Sequence, residues 1–134
     1  MTPRTECYVD TSALIAFRDR SDSYHSLFRR LFSAPPPLVT SALVAAEGHN
    51  WFLRRYNRHR AIQFLALIDE LPTLRVLAFD TQALVSAGRL IRKFADQKLT
   101  LADAHGLALM RDSHIAICWS TDRHLALTGA ALVI

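Results

Sequence analysis

The sequence has little cysteine and almost no lysine. Only two of its 134 residues are cysteines, Cys7 and Cys118, too few for a disulfide framework or for a four-ligand zinc site of their own. Both lie in short apolar runs, so we expect buried free thiols, which suit a reducing cytoplasm. Only two of the 16 basic residues are lysines, and the other 14 are arginines.

Long apolar runs are also missing. The longest, such as 42–46 and 125–134, are too short or too interrupted to cross a bilayer. The first residues lack the apolar stretch of a secretory signal. We therefore expect neither a membrane protein nor an exported one, and we predict a cytoplasmic location. Hydrophobic residues make up 51% of the chain, which predicts one folded domain over 1–134 with a core of its own.

The formal net charge is +4, and arginine carries nearly all of the positive charge. A guanidinium group grips phosphate with two parallel hydrogen bonds, which favours a nucleic-acid partner. A GC-rich genome would give the same bias without functional meaning, and composition does not separate the two. The segment 54–60 places four arginines around Tyr56. It could follow an RNA backbone or form a solvated helix end.

Short apolar runs alternate with segments of helical periodicity. Strands are predicted over 7–9, 38–40, 74–77, 115–119 and 132–134. Helices are predicted over about 12–18, 24–32, 41–55, 61–71, 83–94 and 101–108, with a short one from Asp122. This alternation indicates an α/β fold, in which helices cover both faces of a central, mostly parallel sheet. Ligands of such sheets bind beyond the carboxyl ends of the strands.

Four carboxylates lie near this sheet edge. Asp10 follows the first strand, and Asp122 follows the fourth across two hydroxyl residues. Asp103 lies in the first turn of a helix, and Glu47 lies about two turns into another. Asp10 could simply cap its helix, Asp103 could form a capping box with Thr100, and Asp122 could complement a helix dipole.

Glu47 has no such structural explanation, because it stands in an otherwise apolar stretch two turns from the helix start. An unpaired carboxylate on an apolar face is costly, so it would pair with Arg54 or face solvent at a rim. If all four acids converge, their mutual repulsion requires a cation. Hard oxygen ligands of this kind suit Mg²⁺ or Mn²⁺.

The acidic segments also resemble a known family. PIN-domain ribonucleases, and their VapC toxin branch in particular, have four acidic motifs in the order and spacing found here. The resemblance lies in 8–14 (YVDTSAL), the lone Glu47, 101–104 (LADA) and 120–124 (STDRH).

This resemblance implies a PIN-like three-layer α/β/α sandwich and a metal-dependent endoribonuclease, the toxin of a toxin–antitoxin pair. It implies an RNA substrate, a cognate antitoxin protein, a homodimer and no membrane partner. The catalytic, metal-binding acids would be Asp10, Glu47, Asp103 and Asp122, with Mg²⁺ or Mn²⁺. An alternative is a non-catalytic PIN-like domain that binds RNA or acts as a scaffold.

Other α/β phosphoryl-transfer classes fit less well. Receiver domains use a lysine after a late strand, and none follows Trp119. Haloacid-type phosphatases use an Asp-x-Asp pair where this chain has Asp10-Thr11-Ser12. No Gly-x-Gly-x-x-Gly follows the first strand, which argues against dinucleotide binding. His105 and His124 lie closest to the acids in the sequence, and we assign neither a catalytic role.

Overall fold

The computed structural model describes residues 5–134 and contains a central five-stranded sheet. All of its strand pairs are parallel, and the strand order is β3-β2-β1-β4-β5, with β1 in the middle. The predicted α/β class is confirmed, and the sheet is wholly rather than mostly parallel over the described residues. The strands are β1 Cys7–Val9, β2 Leu38–Ser41, β3 Leu74–Leu77, β4 Ile117–Trp119 and β5 Ala131–Leu132.

Helices connect the strands. They are α1 Thr11–Arg18, α2 His25–Leu31, α3 Ala42–Arg55, α4 Arg58–Glu70, α5 Thr81–Lys93 and α6 Leu101–Asp112, and a short 3₁₀ helix spans Arg123–Ala126. Helix α4 begins earlier than the apolar spacing predicts, because the Asn57 side chain accepts the backbone N–H of Arg60 and caps the first turn. Within residues 5–134, no helix is both long and apolar enough to cross a membrane.

Side chains of β1 alternate between the two faces of the sheet, as the pleat requires. Cys7 and Val9 pack in a cluster with α1 to α4, whose largest fully buried members are Phe28, Phe52 and Phe64. Tyr8 points to the other face and packs against α5 and α6 with Leu90, Leu107 and Met110. Two helical layers therefore enclose the sheet, and the predicted three-layer sandwich is confirmed.

The sheet register brings distant residues together at the carboxyl edge. Val9 of β1 lies opposite Trp119 of β4, and the Asp10 N–H donates to the Trp119 carbonyl at 3.0 Å. Asp10 and Ser120 therefore leave neighbouring strands side by side. On the other side of β1, β2 ends at Ser41, whose side chain caps α3 through the Leu43 N–H. Helices α1 and α3 thus begin at the same edge.

Close packing between α6 and the sheet requires a glycine at position 106. A Cβ atom there would lie 2.8 Å from the ring of Tyr8, which is fully buried. We expect Gly106→Ala to lower the free energy of unfolding by about 1–3 kcal/mol. Gly88→Ala is the matched helical control, because only the end of the Arg92 side chain lies nearby. It should be neutral or stabilising in urea titrations. Equal stability of the two variants would contradict this packing.

Candidate active site

A cavity of about 560 Å³ opens at the carboxyl edge of β1 and β4. All four predicted acids line it: Asp10, Glu47, Asp103 and Asp122. Trp51, Arg54 and Arg55 form part of its wall and lie on α3, the helix that also carries Glu47. Residues up to 112 positions apart in the sequence therefore meet at one site. The fold places them there because each follows a strand or lies in the early turns of a helix that starts at this edge.

Asp10 is held by two hydroxyl groups rather than by its helix. It occupies the cap position of α1, yet its side chain makes no capping hydrogen bond. Its Oδ2 atom instead accepts the hydroxyls of Ser12 and Ser120, each at 2.9 Å. Burial raises the pKa of Asp10 to about 6, although these hydrogen bonds act in the opposite direction. A simple capping role therefore does not account for this residue.

Glu47 lies on the exposed surface of α3, with its carboxylate end in the cavity. Its Oε1 atom accepts the Thr11 hydroxyl at 2.7 Å, and no ion pair with Arg54 forms within residues 5–134. Partial desolvation raises the pKa of Glu47, and the charges of Asp103 and Asp122 raise it further against the Thr11 hydrogen bond. The sequence left two settings for Glu47, an ion pair with Arg54 or a solvent-facing rim, and the structure shows the rim.

Asp103 serves both as a cap and as a cavity residue. The Thr100 hydroxyl accepts the Asp103 N–H at 3.0 Å, and Asp103 Oδ2 accepts the Thr100 N–H at 3.1 Å. This is the capping box that the sequence predicted. Burial raises the pKa of Asp103, and the Asp122 carboxylate adds to that effect. The capping role and the cavity position are compatible, because the box orients the carboxylate.

Asp122 caps the 3₁₀ helix and pairs with a histidine. Its Oδ1 atom accepts the His124 N–H at 3.0 Å and lies 3.1 Å from His124 Nδ1. Ligand atoms of Asp103, Asp122 and His124 all lie within 4.8 Å of one another, so these three side chains could share one cation. His124 thus lies in the site, although the sequence analysis assigned it no role. The only signal for it was its position two residues after an acid.

The four carboxylates share one hydrogen-bonding pattern. In each, the hydrogen bonds from residues 5–134 fall on a single oxygen: Oδ2 of Asp10, Oε1 of Glu47, Oδ2 of Asp103 and Oδ1 of Asp122. Hydrogen bonds that fix one carboxylate oxygen are the usual means by which proteins orient metal ligands. Carboxylates held in this way suit a hard divalent cation. Of the four, Asp103 and Asp122 meet within ligand distance of each other in residues 5–134, together with His124.

The hydroxyl residues beside the acids divide between two roles. Thr100 caps α6, as capping chemistry predicts. Thr11 and Ser12 instead hold the carboxylates of Glu47 and Asp10, and Ser12 also accepts the Thr121 N–H at 3.0 Å. Helix α1 therefore begins with two hydroxyls that support the acidic cavity. Their partners lie far away in the sequence, so only the fold reveals this role.

Comparisons with known proteins agree with this architecture. The model of the PIN domain family matches residues 7–130, a segment that contains all four acids. The structure is similar to VapC20 of Mycobacterium tuberculosis, a sarcin–ricin loop cleaving toxin, with a TM-score of 0.85 and 23% identity over 93% of this chain and 96% of that one.

It is also similar to VapBC2 of Rickettsia felis, whose structure is bound to a DNA fragment from its promoter. The TM-score is 0.62, with 15% identity over 96% of this chain and 97% of that one. No curated protein matches the sequence. These two similarities show that the chain shares its fold with both proteins. Since the family model covers the whole sheet apart from the last strand, together with every α helix, the chain belongs to the PIN domain family.

Proposed function

We propose that this chain is a metal-dependent endoribonuclease that hydrolyses phosphodiester bonds of RNA. The observation that carries the proposal is the convergence of four carboxylates on one cavity. A domain that only bound RNA would place positive charge where the phosphates lie. Here four carboxylates line the cavity beside two arginines. Such an acidic lining is compatible with a polyanionic substrate when a cation lies between them.

The proposed metal is Mg²⁺ or Mn²⁺, held by Asp10, Glu47, Asp103 and Asp122. Carboxylate oxygens are the preferred ligands of both ions. Burial and mutual repulsion raise the pKa values of the first three acids, and a bound cation would offset both effects. When bound, the metal would lower the pKa of a water molecule and neutralise charge on the scissile phosphate. His124 adds a nitrogen ligand beside Asp122, which Mn²⁺ accepts more readily than Mg²⁺ does.

The chain's own groups keep these ligands in place. Ser12 and Ser120 fix Asp10, Thr11 fixes Glu47, and the Thr100 N–H fixes Asp103. In this mechanism the attack on the phosphate is in line, and no covalent enzyme intermediate forms. A buried Ser41–His105 pair, 2.6 Å apart, does not supply a nucleophile. Ser41 is fully buried and caps α3, so no substrate reaches its hydroxyl.

The wall of the cavity fits RNA. Arg54 and Arg55 place guanidinium groups at the mouth, where they would bind phosphates beside the scissile bond. Trp51 lines the same wall and offers a surface on which a base can stack. The structural likeness to VapC20, a sarcin–ricin loop cleaving toxin, supports an RNA substrate.

We further propose that the chain is a cytoplasmic VapC-type toxin that forms a homodimer and is restrained by a cognate antitoxin protein. The likeness to VapC20 and to VapBC2 supports this setting. Induced expression should arrest growth, and co-expression of the product of the adjacent gene should relieve the arrest. Expression of the Asp10→Asn protein should be harmless at the same protein level. Harmless expression of wild-type protein that is active in vitro would contradict the toxin role.

Removal of metal tests the nuclease proposal directly. The purified protein, treated with EDTA and dialysed, should not cleave labelled RNA, and added Mn²⁺ or Mg²⁺ should restore cleavage. The reason is that four carboxylates alone repel the phosphate. Calorimetric titration with Mn²⁺ on the same sample should show binding. Full cleavage in EDTA, or cleavage that no divalent cation restores, would overturn metal dependence.

Ser120 should control the pH range of metal binding. It is fully buried and donates to Asp10, so Ser120→Ala removes a hydrogen bond that favours the ionised carboxylate. We expect the pKa of Asp10 to rise in the variant, and the pH at which Mn²⁺ binding reaches half its maximum to rise with it. Calorimetric titrations between pH 5 and 8 measure this shift, with the exposed Ser113→Ala as control. An unchanged pH profile would show that Ser120 does not tune Asp10.

A further inference from the structure

A second cleft lies where α1 ends and α4 begins. Its volume is about 500 Å³, and its lining residues are Arg18, Asp19, Arg20, Ser21, Arg60 and Gln63. Three arginines face one aspartate, so the cleft is positively charged. It shares no lining residue with the acidic cavity. Within residues 5–134, none of the three arginines forms an ion pair with a carboxylate.

Arg60 is held in place by aromatic rings. Its guanidinium carbon lies 4.3 Å from the ring centre of Tyr56 and 5.6 Å from that of Phe52. One nitrogen donates to the Arg18 carbonyl at 3.4 Å. Arg60 is only partly exposed, unlike Arg18 and Arg20. A guanidinium has five N–H donors, so most of them remain for a ligand. The group is thus ordered in advance, which lowers the entropic cost of gripping an anion.

Asp19 supports this arrangement without pairing with Arg60. Its Oδ1 atom accepts the Ser21 N–H, the Ser21 hydroxyl at 2.8 Å and the Tyr56 hydroxyl at 2.9 Å. Burial opposes ionisation of Asp19, but the hydrogen bonds from Ser21 and Tyr56 and the charge of Arg60 outweigh it and lower its pKa. Asp19 therefore anchors Tyr56, and Tyr56 supports Arg60.

Tyr56 also connects the two sites. The guanidinium carbon of Arg55, which lines the acidic cavity, lies 5.8 Å from the ring centre of Tyr56. The guanidinium carbons of Arg55 and Arg60 are therefore no more than about 10 Å apart. Positive charge continues from the mouth of the acidic cavity to the second cleft. A short stretch of single-stranded RNA would span this distance.

We propose that the cleft of Arg18, Arg20 and Arg60 binds a backbone phosphate of the RNA outside the acidic cavity. This inference rests on the proposed nuclease function and adds a second contact to it. The cleft holds the RNA and takes no part in bond cleavage, so it acts on substrate binding and not on the chemical step. Its effect should depend on RNA length, because a dinucleotide carries only the scissile phosphate and has no further phosphate to place in the cleft.

The experiment compares an RNA of about 2 nucleotides with one of about 16 nucleotides that contains the same cleavage site. The variants are the double replacement of the exposed Arg18 and Arg20 by glutamine, and Arg60→Lys, which keeps the charge but loses the planar fork. The matched control is Arg89→Gln, an exposed arginine of α5, which packs in the other helical layer. Circular dichroism and thermal unfolding establish that each variant is folded.

We expect KM for the long RNA to rise about tenfold in the double variant, with kcat unchanged and no effect on the short RNA. The slope of log affinity against log salt should fall by about 0.7 for each arginine removed. Arg60→Lys should raise KM for the long RNA as well, because a point charge does not replace two directed donors. Arg89→Gln should change neither quantity.

Binding of uncleaved RNA separates this inference from the nuclease proposal. The same arginine replacements are made in the Asp10→Asn background, and fluorescence anisotropy measures affinity for the long RNA. Weaker binding in the double variant supports the cleft even if the wild-type protein cleaves nothing. Normal cleavage with affinities equal to those of Arg89→Gln overturns the cleft and leaves the nuclease intact. Binding of inorganic phosphate alone, with RNA affinity unchanged, likewise overturns it.

Discussion

Replacement of Asp10 or Asp103 by asparagine should lower the rate of RNA cleavage by at least about 10³-fold, a loss of about 4 kcal/mol in transition-state stabilisation. Both residues line the cavity, and hydrogen bonds fix one carboxylate oxygen of each. Asparagine keeps the size of the side chain but loses the negative charge. The site then holds a divalent cation much less tightly, and the phosphate loses its counter-charge.

Both variants should fold normally. In Asp10→Asn, the new amide oxygen can accept the hydroxyls of Ser12 and Ser120 as Oδ2 of Asp10 does. At position 103 the amide oxygen can accept the Thr100 N–H, so the capping box remains. A loss of activity would therefore report on charge and not on unfolding. Far-UV circular dichroism spectra should match that of the wild type, and urea titrations should show a cooperative transition at the pH of the assay.

The measurement is cleavage of an end-labelled RNA in Mn²⁺ by proteins purified in the same way. The control is Asp96→Asn, which removes an exposed acid from the loop between α5 and α6 and should retain full activity. Parallel purification also guards against a contaminating nuclease, which would cleave equally in every sample. Cleavage by Asp10→Asn at the wild-type rate, in excess of that background, would refute the assignment of the acidic cavity.

The convergence of the acids could be predicted because two separate patterns point to the same edge. Alternation of strands and helices fixes a parallel sheet, and Asp10 and Asp122 follow its strands. What could not be predicted is what holds each acid. Ser120 reaches Asp10 across 110 residues, and Glu47 contacts Thr11 rather than Arg54. Such contacts depend on the exact register of β1 against β4 and on the approach of α3 to α1.

Local rules explained some residues and not others. The Thr100–Asp103 capping box follows from four consecutive residues, so the sequence contains all the information it needs. Asp10 occupies a cap position but leaves it unused, because two hydroxyls compete for its side chain. The sequence places His124 beside an acid and four arginines around Tyr56, but it does not show that His124 lies near Asp103 or that Arg60 shares a cleft with Arg18 and Arg20. Their geometry joins segments that only tertiary packing brings together.

The acidic cavity should make the metal-free protein less stable as the pH rises. The pKa of Asp10 is about 6 in the folded protein, above its ordinary value of 3.8. Between these values the folded state keeps a proton that the unfolded state releases. Folding stability therefore falls as the pH rises from about 4 through 6, and the loss is complete above about pH 7. The raised pKa values of Glu47 and Asp103 act in the same direction.

Asp10→Asn should thus stabilise the metal-free protein at pH 7.5 by about 2–3 kcal/mol, while leaving its stability at pH 4 close to that of the wild type. The amide stays neutral, so burial no longer opposes a charge. Urea titrations in EDTA at the two pH values measure the difference, and Asp96→Asn should show none. Saturating Mn²⁺ should reverse the order at pH 7.5, because it stabilises the wild type and binds the variant only weakly. A metal-free Asp10→Asn protein less stable than the wild type at pH 7.5 would mean that Asp10 supports the fold. A metal-free Asp10→Asn protein more stable than the wild type at pH 7.5 would mean that the buried Asp10 carboxylate lowers folding stability and is present because it binds a metal.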